Sequence, residues 1–241
     1  MASPLAAPET PPLRVAAVIP AYQAAPSVGG VVRGVAAHLP EVLVVDDGSR
    51  DATADAAREA GARVISLPAN RGKGAALAAA FADLFGRGYD GVITLDADGQ
   101  HVPAEIPKLL AAAAAGGDLV LGVRDHLFGE MSAVRRASNR LSSQAISLAA
   151  GQRLADVQTG FRYYSRRLIE TVGFPEARFE AESAVVVRAA RRGFRVVTVP
   201  VRLGFADGRT TSHYRPLIDS LRIAGAVTRA RLEMLGWARS S

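Results

Sequence analysis

The chain of 241 residues contains no cysteine. This absence excludes disulfide bonds and metal sites built on thiolates, and it fits a reducing compartment. Lysine is scarce too, since Lys73 and Lys108 are the only two. Arginines therefore carry most of the positive charge, and the formal net charge at pH 7 is +6. Such a dispersed excess leaves phosphates and acidic membrane faces open as partners.

The sequence also has no long apolar run. No uninterrupted stretch approaches the ~20 apolar residues that a membrane-spanning helix requires. Residues 1–13 contain four prolines and no basic residue. They lack the basic start and apolar middle of a signal peptide and are predicted to be a disordered leader. No basic stretch is interleaved with aromatic residues, so nucleic acid is not an expected partner.

Short apolar runs alternate with helical patterns from Arg14 to about Gly122. Runs that are apolar on both faces and separated by helices predict a largely parallel sheet covered by helices, in one α/β domain. Ligands of such sheets bind at the carboxyl ends of the strands. The predicted strands are 15–19, 42–45, 64–67, 92–95 and 119–123, and the predicted helices are 28–39, 51–60, 73–85 and 106–115.

The pattern changes after Arg124. It predicts a helix over 131–150, a turn at 156–160, a short aromatic run at 161–164, a helix over 180–192, a strand pair around 196–201 and a long helix over 216–237. No repeat and no linker divides the chain. We therefore expect one domain over residues 14–215, followed by a C-terminal amphipathic helix within 216–241 that packs on the domain or on a membrane surface.

Two carboxylates stand one residue apart directly after the fourth predicted strand, in the run L-D-A-D-G-Q at 95–100. Like charges at this spacing repel by roughly 1 to 4 kcal/mol, depending on the local dielectric, and a hard cation removes the repulsion. Mg²⁺ or Mn²⁺ held by one or two carboxylates and by substrate phosphates is the usual arrangement. The alternative is a solvated turn that caps the next helix. The strand that precedes Asp96 and Asp98 favours the cation.

Two further motifs follow predicted strands. The run V-V-D-D-G-S at 44–49 ends a strand with two acids, and a carboxylate there can accept a hydrogen bond from a base N–H or a ribose hydroxyl. We assign that contact to Asp46, whereas Asp47 and Ser49 suit the capping of turns. The run N-R-G-K-G at 70–74 opens a helix and offers backbone N–H groups and Lys73 to an anion. A tight strand-to-helix connection explains this run equally well.

These three motifs, in this order and with the run P-A-Y at 20–22 ending the first strand, resemble family 2 glycosyltransferases of the GT-A fold. Within that family the chain resembles dolichyl-phosphate mannose synthases and bacterial polyprenyl-phosphate glycosyltransferases, over roughly residues 14–221. The resemblance implies a Rossmann-like domain, a nucleotide-sugar donor such as GDP-mannose or UDP-glucose, and Mg²⁺ or Mn²⁺ as cofactor. It also implies that Pro20, Tyr22 and Asp46 lie around the base and ribose.

The resemblance extends to the cation and the donor phosphates. Asp96, Asp98 and Gln100 match the metal-binding D-x-D-x-Q of the dolichyl-phosphate subgroup, which also places Asp96 at the donor. The run G-V-R at 122–124 resembles the family's G-x-R, which implies that Arg124 faces phosphate. Arg135 or its neighbour Arg136 is a candidate for a second phosphate contact.

Two later runs continue the resemblance. D-V-Q-T-G-F-R at 156–162 resembles D-x-x-[ST]-G-F-R, and F-E-A-E at 179–182 resembles F-x-x-E at the head of a helix. Structural roles, as a surface arginine, a turn or a helix cap, are the alternative at each of these positions. The chain departs from the family at Gln23-Ala24, where many members have Asn-Glu, and it lacks the transmembrane helices that many polyprenyl-phosphate members carry.

The implied reaction transfers a sugar with inversion of its anomeric centre. A lipid phosphate acceptor is already anionic and needs no general base, whereas a hydroxyl acceptor needs one, for which Glu182 is the candidate. The expected catalytic residues are therefore Asp98, Glu182 and Arg124. The alternatives are a transferase acting on a soluble hydroxyl acceptor, a nucleotidyltransferase that makes the nucleotide sugar, and an inactive sugar-nucleotide-binding protein.

Polyprenyl phosphate is the expected acceptor, met by a cytoplasmic enzyme that is peripheral on the inner face of the membrane. The basic segment 208–215 precedes the last helix, as a flexible lid over an anionic acceptor would. A stripe in the last helix either packs on the core or lies in the headgroup plane. The predicted stripe consists of Leu217, Leu221, Ala224, Val227 and Leu235, with Arg222, Arg229 and Arg231 away from its centre.

Overall fold

A computed structural model describes residues 12–123, 143–154, 157–202, 204 and 216–237, and in the last helix it describes the side chains of residues 223–233. The strands are β1 Val15–Ala21, β2 Val42–Asp46, β3 Arg63–Ser66, β4 Gly91–Thr94, β5 Leu119–Val123, β6 Arg162–Ser165 and β7 Val196–Pro200. The helices are α1 Ala25–Ala36, α2 Thr53–Glu59, α3 Lys73–Gly86, α4 Ile106–Ala114, α5 at 143–150, α6 Arg166–Val172, α7 Glu180–Arg191 and α8 Pro216–Trp237.

The strands form one sheet in the order β3-β2-β1-β4-β6-β5-β7. All neighbouring pairs are parallel except those of β6, which runs antiparallel to both β4 and β5. The prediction of a mixed, largely parallel sheet flanked by helices is confirmed. Because parallel strands share one direction, their carboxyl ends lie along a single edge, which we call the carboxyl edge.

Both faces of strands β1, β2, β4 and β5 are buried, which explains why these strands are apolar without alternation. In β1, Ala16 and Val18 pack into one core and Ala17 and Ile19 into the other, because successive side chains point to opposite faces. Helices α3, α7 and α8 contribute to the first core, and α1, α2 and α4 contribute to the second.

The later half of the chain differs from the prediction in two places. The predicted strand pair around residues 196–201 is one strand, β7, which pairs in parallel with β5. Helix α6 was not predicted. Its seven residues follow β6 directly, and the Ser165 side chain caps it by accepting a hydrogen bond from the Leu168 N–H.

Helix α8 packs on α7 through a stripe that agrees with the predicted one at Val227 and differs from it at Ala224. Its buried side chains are Ile223, Ala226, Val227 and Ala230, spaced as one helical face. Ala224, which was placed in the stripe, is exposed, whereas Arg229 and Arg231 are exposed as predicted. Leu217, Leu221, Arg222 and Leu235 lie outside the described side chains. Across the described residues, no helix combines the length and apolar character that crossing a membrane demands.

Candidate active site

Segments from several motifs meet at the carboxyl edge of the sheet. Strand β1 lies between β2 and β4, with Ala21 in register with Asp46. Asp46, which ends β2, and Asp96, which follows β4, therefore lie on either side of the end of β1. Strand β6 runs in the opposite direction, so it begins at this edge. A Cβ atom on Gly160, just before β6, would come within 2.4 Å of Asp96 Oδ2.

The D-x-D-x-Q run forms a tight turn after β4. The Asp96 N–H donates to His101 Nδ1 at 3.0 Å, and the Gln100 N–H donates to Asp98 Oδ1 at 3.0 Å. Gly99 has a φ of 78°, in the left-handed region that glycine enters without strain. Hydrogen bonds therefore hold the turn at its start and near its end, while Asp98 and Gln100 stay half-buried.

Lys73 lies between two carboxylates of the site. Its Nζ is 2.6 Å from Asp96 Oδ1 and 2.9 Å from Glu182 Oε2. The lysine and glutamate side chains are 12% and 7% exposed, whereas that of Asp96 is 34% exposed. Residues that begin α3, follow β4 and open α7 thus form one charged cluster, and Asp96 is its solvent-facing member.

The charges of this cluster support one another. Burial opposes ionisation of Asp96, but the nearby charge of Lys73 and its hydrogen bond outweigh burial and lower the pKa of the carboxyl to about 2. Burial also opposes the charge on Lys73, and the two carboxylates overcome it and raise the pKa of the ammonium above its usual range. Asp96 and Lys73 are both ionised at neutral pH.

The glycine-rich loop before α3 binds a carboxylate of the protein itself. The Asp47 oxygens accept the N–H groups of Arg71 and Gly72, each at 2.7 Å. Gly72 has a φ of 98°, and a Cβ atom there would come 2.6 Å from the Ala177 carbonyl oxygen. The loop is therefore a tight connection that Asp47 holds in place, and it carries Lys73 into the site.

Asp46 lies on the other side of β1 from the D-x-D-x-Q turn. Its residue is 4% exposed, and Oδ1 accepts the Ser49 N–H at 3.0 Å. The Ser49 hydroxyl in turn accepts the Gln23 N–H at 2.8 Å, which ties the turn after β2 to the end of β1. Pro20 and Tyr22 are half-buried beside it. The residues predicted to surround a nucleoside thus lie on adjacent strand ends.

Arg162 organises the segment before β6. The side chain is fully buried, and the guanidinium donates hydrogen bonds to the carbonyl oxygens of Val157, Thr159 and Glu182. Its Nε is also 3.8 Å from Glu182 Oε1. The Thr94 hydroxyl donates to the Gly160 carbonyl at 2.8 Å. These bonds fix the T-G-F-R run against Asp96 and the start of α7.

Several predicted site residues lie outside the described part of the chain. They are Arg124, Arg135, Arg136 and Asp156, together with the basic segment 208–215. The backbone of β5 up to Val123 reaches the carboxyl edge, and the Gly122 N–H donates to the Phe161 carbonyl at 2.9 Å. Strand β5 therefore ends at the same edge of the sheet as β4.

The chemistry of the D-x-D-x-Q side chains suits a divalent cation. No group of three or more His, Asp and Glu side chains that would enclose a metal ion converges within the described ranges. Proteins usually hold Mg²⁺ or Mn²⁺ through one or two carboxylates, while phosphates and water complete the shell. Asp98, the exposed part of Asp96 and the Gln100 amide offer the hard oxygen atoms that such an ion takes.

Two residues of the site had no role in the sequence prediction. His101 accepts the Asp96 N–H, and Arg162 holds three carbonyls. The signal for Arg162 was its position between the aromatic residues of a short buried strand, where a charge must find internal partners. The signal for His101 was its place immediately after the D-x-D-x-Q run.

Comparison with known proteins agrees with this geometry. The family model described as glycosyl transferase family 2 matches residues 16–173. The chain is 31% identical over 238 residues to an undecaprenyl-phosphate mannosyltransferase of Micrococcus luteus, covering 93% of this chain and 94% of that protein. It is 38% identical over 170 residues to an undecaprenyl-phosphate 4-deoxy-4-formamido-L-arabinose transferase of Pseudomonas fluorescens, covering 66% of this chain and about half of the relative, 48%.

Solved structures share the fold. Glucosyl-3-phosphoglycerate synthase of Mycobacterium tuberculosis, crystallised with Mn²⁺, UDP and phosphoglyceric acid, superposes with a TM-score of 0.70 at 20% identity, over 93% of this chain and 79% of that one. At this identity the likeness concerns the GT-A fold alone. The sheet, the carboxyl-edge motifs and the matched region lead to one conclusion: the chain is a glycosyltransferase that belongs to glycosyl transferase family 2.

Proposed function

We propose that the enzyme transfers a sugar from a nucleoside-diphosphate donor, of the GDP-mannose or UDP-glucose type, to a polyprenyl phosphate with inversion at the anomeric carbon. The names of two relatives support the acceptor, since both are undecaprenyl-phosphate sugar transferases. The arrangement of Asp96, Asp98 and Gln100 supports a divalent cation, which would stabilise charge on the departing diphosphate.

The ion pair between Glu182 and Lys73 is the observation that carries this proposal. A hydroxyl acceptor requires a base to take its proton, and Glu182 is the base candidate. Its Oε2 is 2.9 Å from Lys73 Nζ, and taking a proton there would break that ion pair. A phosphate acceptor is already ionised and requires no such step. The cluster therefore favours an anionic oxygen as the nucleophile.

In this proposal, different residues of the chain bind different parts of the donor. Pro20, Tyr22 and Asp46 bind the nucleoside, and the half-buried Asp98 binds the cation. Arg124 and either Arg135 or Arg136 bind phosphate oxygens, since guanidinium groups match that geometry. Lys73 keeps Asp96 ionised and fixed.

In the reaction, a phosphate oxygen of the acceptor attacks the anomeric carbon on the face opposite the nucleotide. The bond from that carbon to the β-phosphate oxygen breaks, and its electron pair leaves with the nucleoside diphosphate. No proton needs to be removed. The product is a sugar linked to the lipid through a phosphodiester, with the anomeric configuration inverted.

The direct experiment incubates the enzyme with radiolabelled GDP-mannose or UDP-glucose, undecaprenyl phosphate and Mn²⁺, and then extracts the mixture with organic solvent. We expect label in the organic phase with one donor, and its loss in EDTA or in Asp98→Asn. Asp55→Asn is the matched control, because Asp55 is an exposed acid on α2. Full activity of Asp98→Asn, or activity in excess EDTA, would remove the cation from the proposal.

Other outcomes identify the competing functions. Label that moves only to soluble hydroxyl compounds would replace the lipid acceptor and require Glu182 as a base. Pyrophosphate released from a nucleoside triphosphate and a sugar phosphate would identify a nucleotidyltransferase. Donor binding with neither transfer nor slow hydrolysis would identify an inactive binding protein.

A lipid acceptor also requires contact with a membrane, which we place on the cytoplasmic leaflet. The exposed face of α8 carries Arg229 and Arg231 beside Leu232, whose exposure is 61%. Basic residues near an anionic surface each contribute about 1 kcal/mol to binding. Flotation with anionic and neutral liposomes measures this contact. We expect anionic liposomes to retain the wild type better than a variant with Arg229→Glu, Arg231→Glu and Leu232→Ser, and equal flotation would remove α8 from the contact.

A further inference from the structure

His101 closes the turn that carries both carboxylates of the D-x-D-x-Q run. The Leu95 N–H still donates to the Val18 carbonyl at 3.0 Å, as a strand residue does. The next N–H, that of Asp96, leaves the sheet and donates to His101 Nδ1 at 3.0 Å. The imidazole thus replaces a neighbouring strand as the partner of this amide.

The direction of that hydrogen bond determines which nitrogen of the neutral ring carries the proton. A nitrogen that accepts an N–H keeps its lone pair, so a neutral His101 has its proton on Nε2. Nε2 lies 3.8 Å from Asp96 Oδ2. One imidazole therefore faces both the main chain and the carboxylate of Asp96.

The ring itself is held by aromatic packing. His101 is 8% exposed and stacks on Phe161, with centroids 5.4 Å apart and an interplanar angle of 28°. Phe161 is fully buried, and its carbonyl accepts the Gly122 N–H at 2.9 Å. A Cβ atom on Gly122 would lie 3.1 Å from that carbonyl oxygen. His101 consequently joins the turn to the end of β5, the strand that leads to Arg124.

We propose that His101 is a positioning residue that holds the turn of residues 96–101 in the geometry that binds the divalent cation. The inference rests on the metal site of the proposed function. Two carboxylates one residue apart repel each other until a cation is present, and Gly99 leaves their turn with a flexible position. Partners that orient metal ligands without touching the ion are known to control affinity. His101 supplies that orientation through its Nδ1 acceptor and its stacking.

Three substitutions separate the acceptor from the bulk of the ring. His101→Asn keeps an acceptor near the position of Nδ1, His101→Gln moves the acceptor toward the position of Nε2, and His101→Leu removes it. His38→Leu is the matched control, because His38 is exposed at the end of α1. Mn²⁺ binding to each full-length variant is measured by electron paramagnetic resonance, with GDP and separately with UDP present, and the melting temperature reports folding.

We expect Mn²⁺ affinity to fall about ten- to a hundredfold in His101→Leu and His101→Gln, by the size of effect found for outer-sphere partners of metal ligands. We expect His101→Asn to stay within about threefold of the wild type on the same basis. Equal affinity in folded His101→Gln and wild type would overturn the proposal, as would an Asn variant as weak as the Gln variant.

The measurement does not depend on the acceptor. A wild type that binds no Mn²⁺ would overturn both the metal site and the role of His101. Normal Mn²⁺ binding with the expected order of variants, but no label on lipid, would overturn the proposed acceptor alone.

Discussion

Lys73 and Asp96 form an ion pair of 2.6 Å between the first residue of α3 and the turn that follows β4. Because of this pair, the glycine-rich loop has a structural role that does not involve phosphate, namely the placement of Lys73. Asp47 holds the loop, the loop delivers Lys73, and Lys73 fixes the carboxylates of Asp96 and Glu182. Elements far apart in the sequence thereby set the charge at the candidate metal site.

Removing Lys73 should destabilise the fold. Lys73→Met keeps the length of the side chain and leaves two carboxylates without their cation. We expect the free energy of unfolding to fall by about 3 kcal/mol. This value is at the lower end of the range for breaking a buried ion pair, because Asp96 keeps some solvent contact. Urea unfolding measures the loss. Arg58→Met is the control, because Arg58 and its partner Asp55 are both exposed, and it should cost less than about 1 kcal/mol.

The same pair predicts how stability depends on pH. The pKa of Asp96 is lowered in the folded protein to about 2, from an ordinary value of 3.8. The unfolded chain therefore takes up this proton first as the pH falls. The stabilisation is fully present above the ordinary pKa and is lost as the pH falls from there through the folded value. In EDTA, the stability difference between wild type and Lys73→Met should narrow below about pH 4. A stability difference that stays constant from about pH 4 down to about pH 2 would contradict the assignment.

Substitutions of Asp46 and Asp47 should have different effects, the first on the affinity for nucleoside diphosphate and the second on the stability of the fold. Asp46→Asn keeps an oxygen for the Ser49 N–H but removes the charge that we assign to the nucleoside contact. We expect nucleoside diphosphate binding to weaken by about 1.5 to 3 kcal/mol in calorimetry. Asp47→Asn replaces one of two oxygens that accept loop N–H groups, so its main effect should be on unfolding. The opposite pattern would move the nucleoside contact to Asp47.

Gly160 should tolerate no side chain. A Cβ atom there would come 2.4 Å from Asp96 Oδ2 and 2.7 Å from Asp96 Oδ1, so Gly160→Ala must displace the carboxylate. A misplacement on the order of 1 Å in a site costs about a hundredfold in rate, and we expect that loss in donor turnover. Gly30→Ala is the control, since nothing lies within 4 Å of its Cβ position, and it should stabilise α1 by about 0.5 to 1 kcal/mol. Wild-type turnover in Gly160→Ala would show that Asp96 can move freely.

The sequence predicted the parts of the fold that local pattern determines. Strands such as β5, Leu119–Val123, are apolar on both faces and stand between helical patterns, so their limits could be read directly. The place of β6 between β4 and β5 could not be read, because its pairing joins residues that are distant along the chain. Helix α6 is too short for its periodicity to stand out. The stripe of α8 was misplaced at Ala224 because alanine indicates neither a buried nor an exposed face.

The candidate site was predictable in its carboxylates but not in what holds them. Asp96 and Asp98 could be predicted as site residues because they directly follow a buried strand. The pairing of Lys73 with Asp96 and Glu182 could not be predicted. These two residues lie 23 and 109 positions from Lys73, and only the folded sheet brings the three residues together. The binding of Asp47 by the glycine-rich loop could not be predicted for the same reason, since Asp47 is also distant from that loop along the chain.

The antiparallel direction of β6 has a consequence for how such an enzyme can diversify. Strand β5 ends and β6 begins at the same edge of the sheet, as the pairing of Leu121 with Arg162 requires. The connection between the two strands therefore starts and ends at that edge. Two described parts of this connection are fixed, since Ile146 of α5 packs in the core and Gly160 lies against the Asp96 carboxylate. A change of length elsewhere in the connection would shift no strand, so this side of the candidate site can vary while the strand that leads to Asp96 keeps its register.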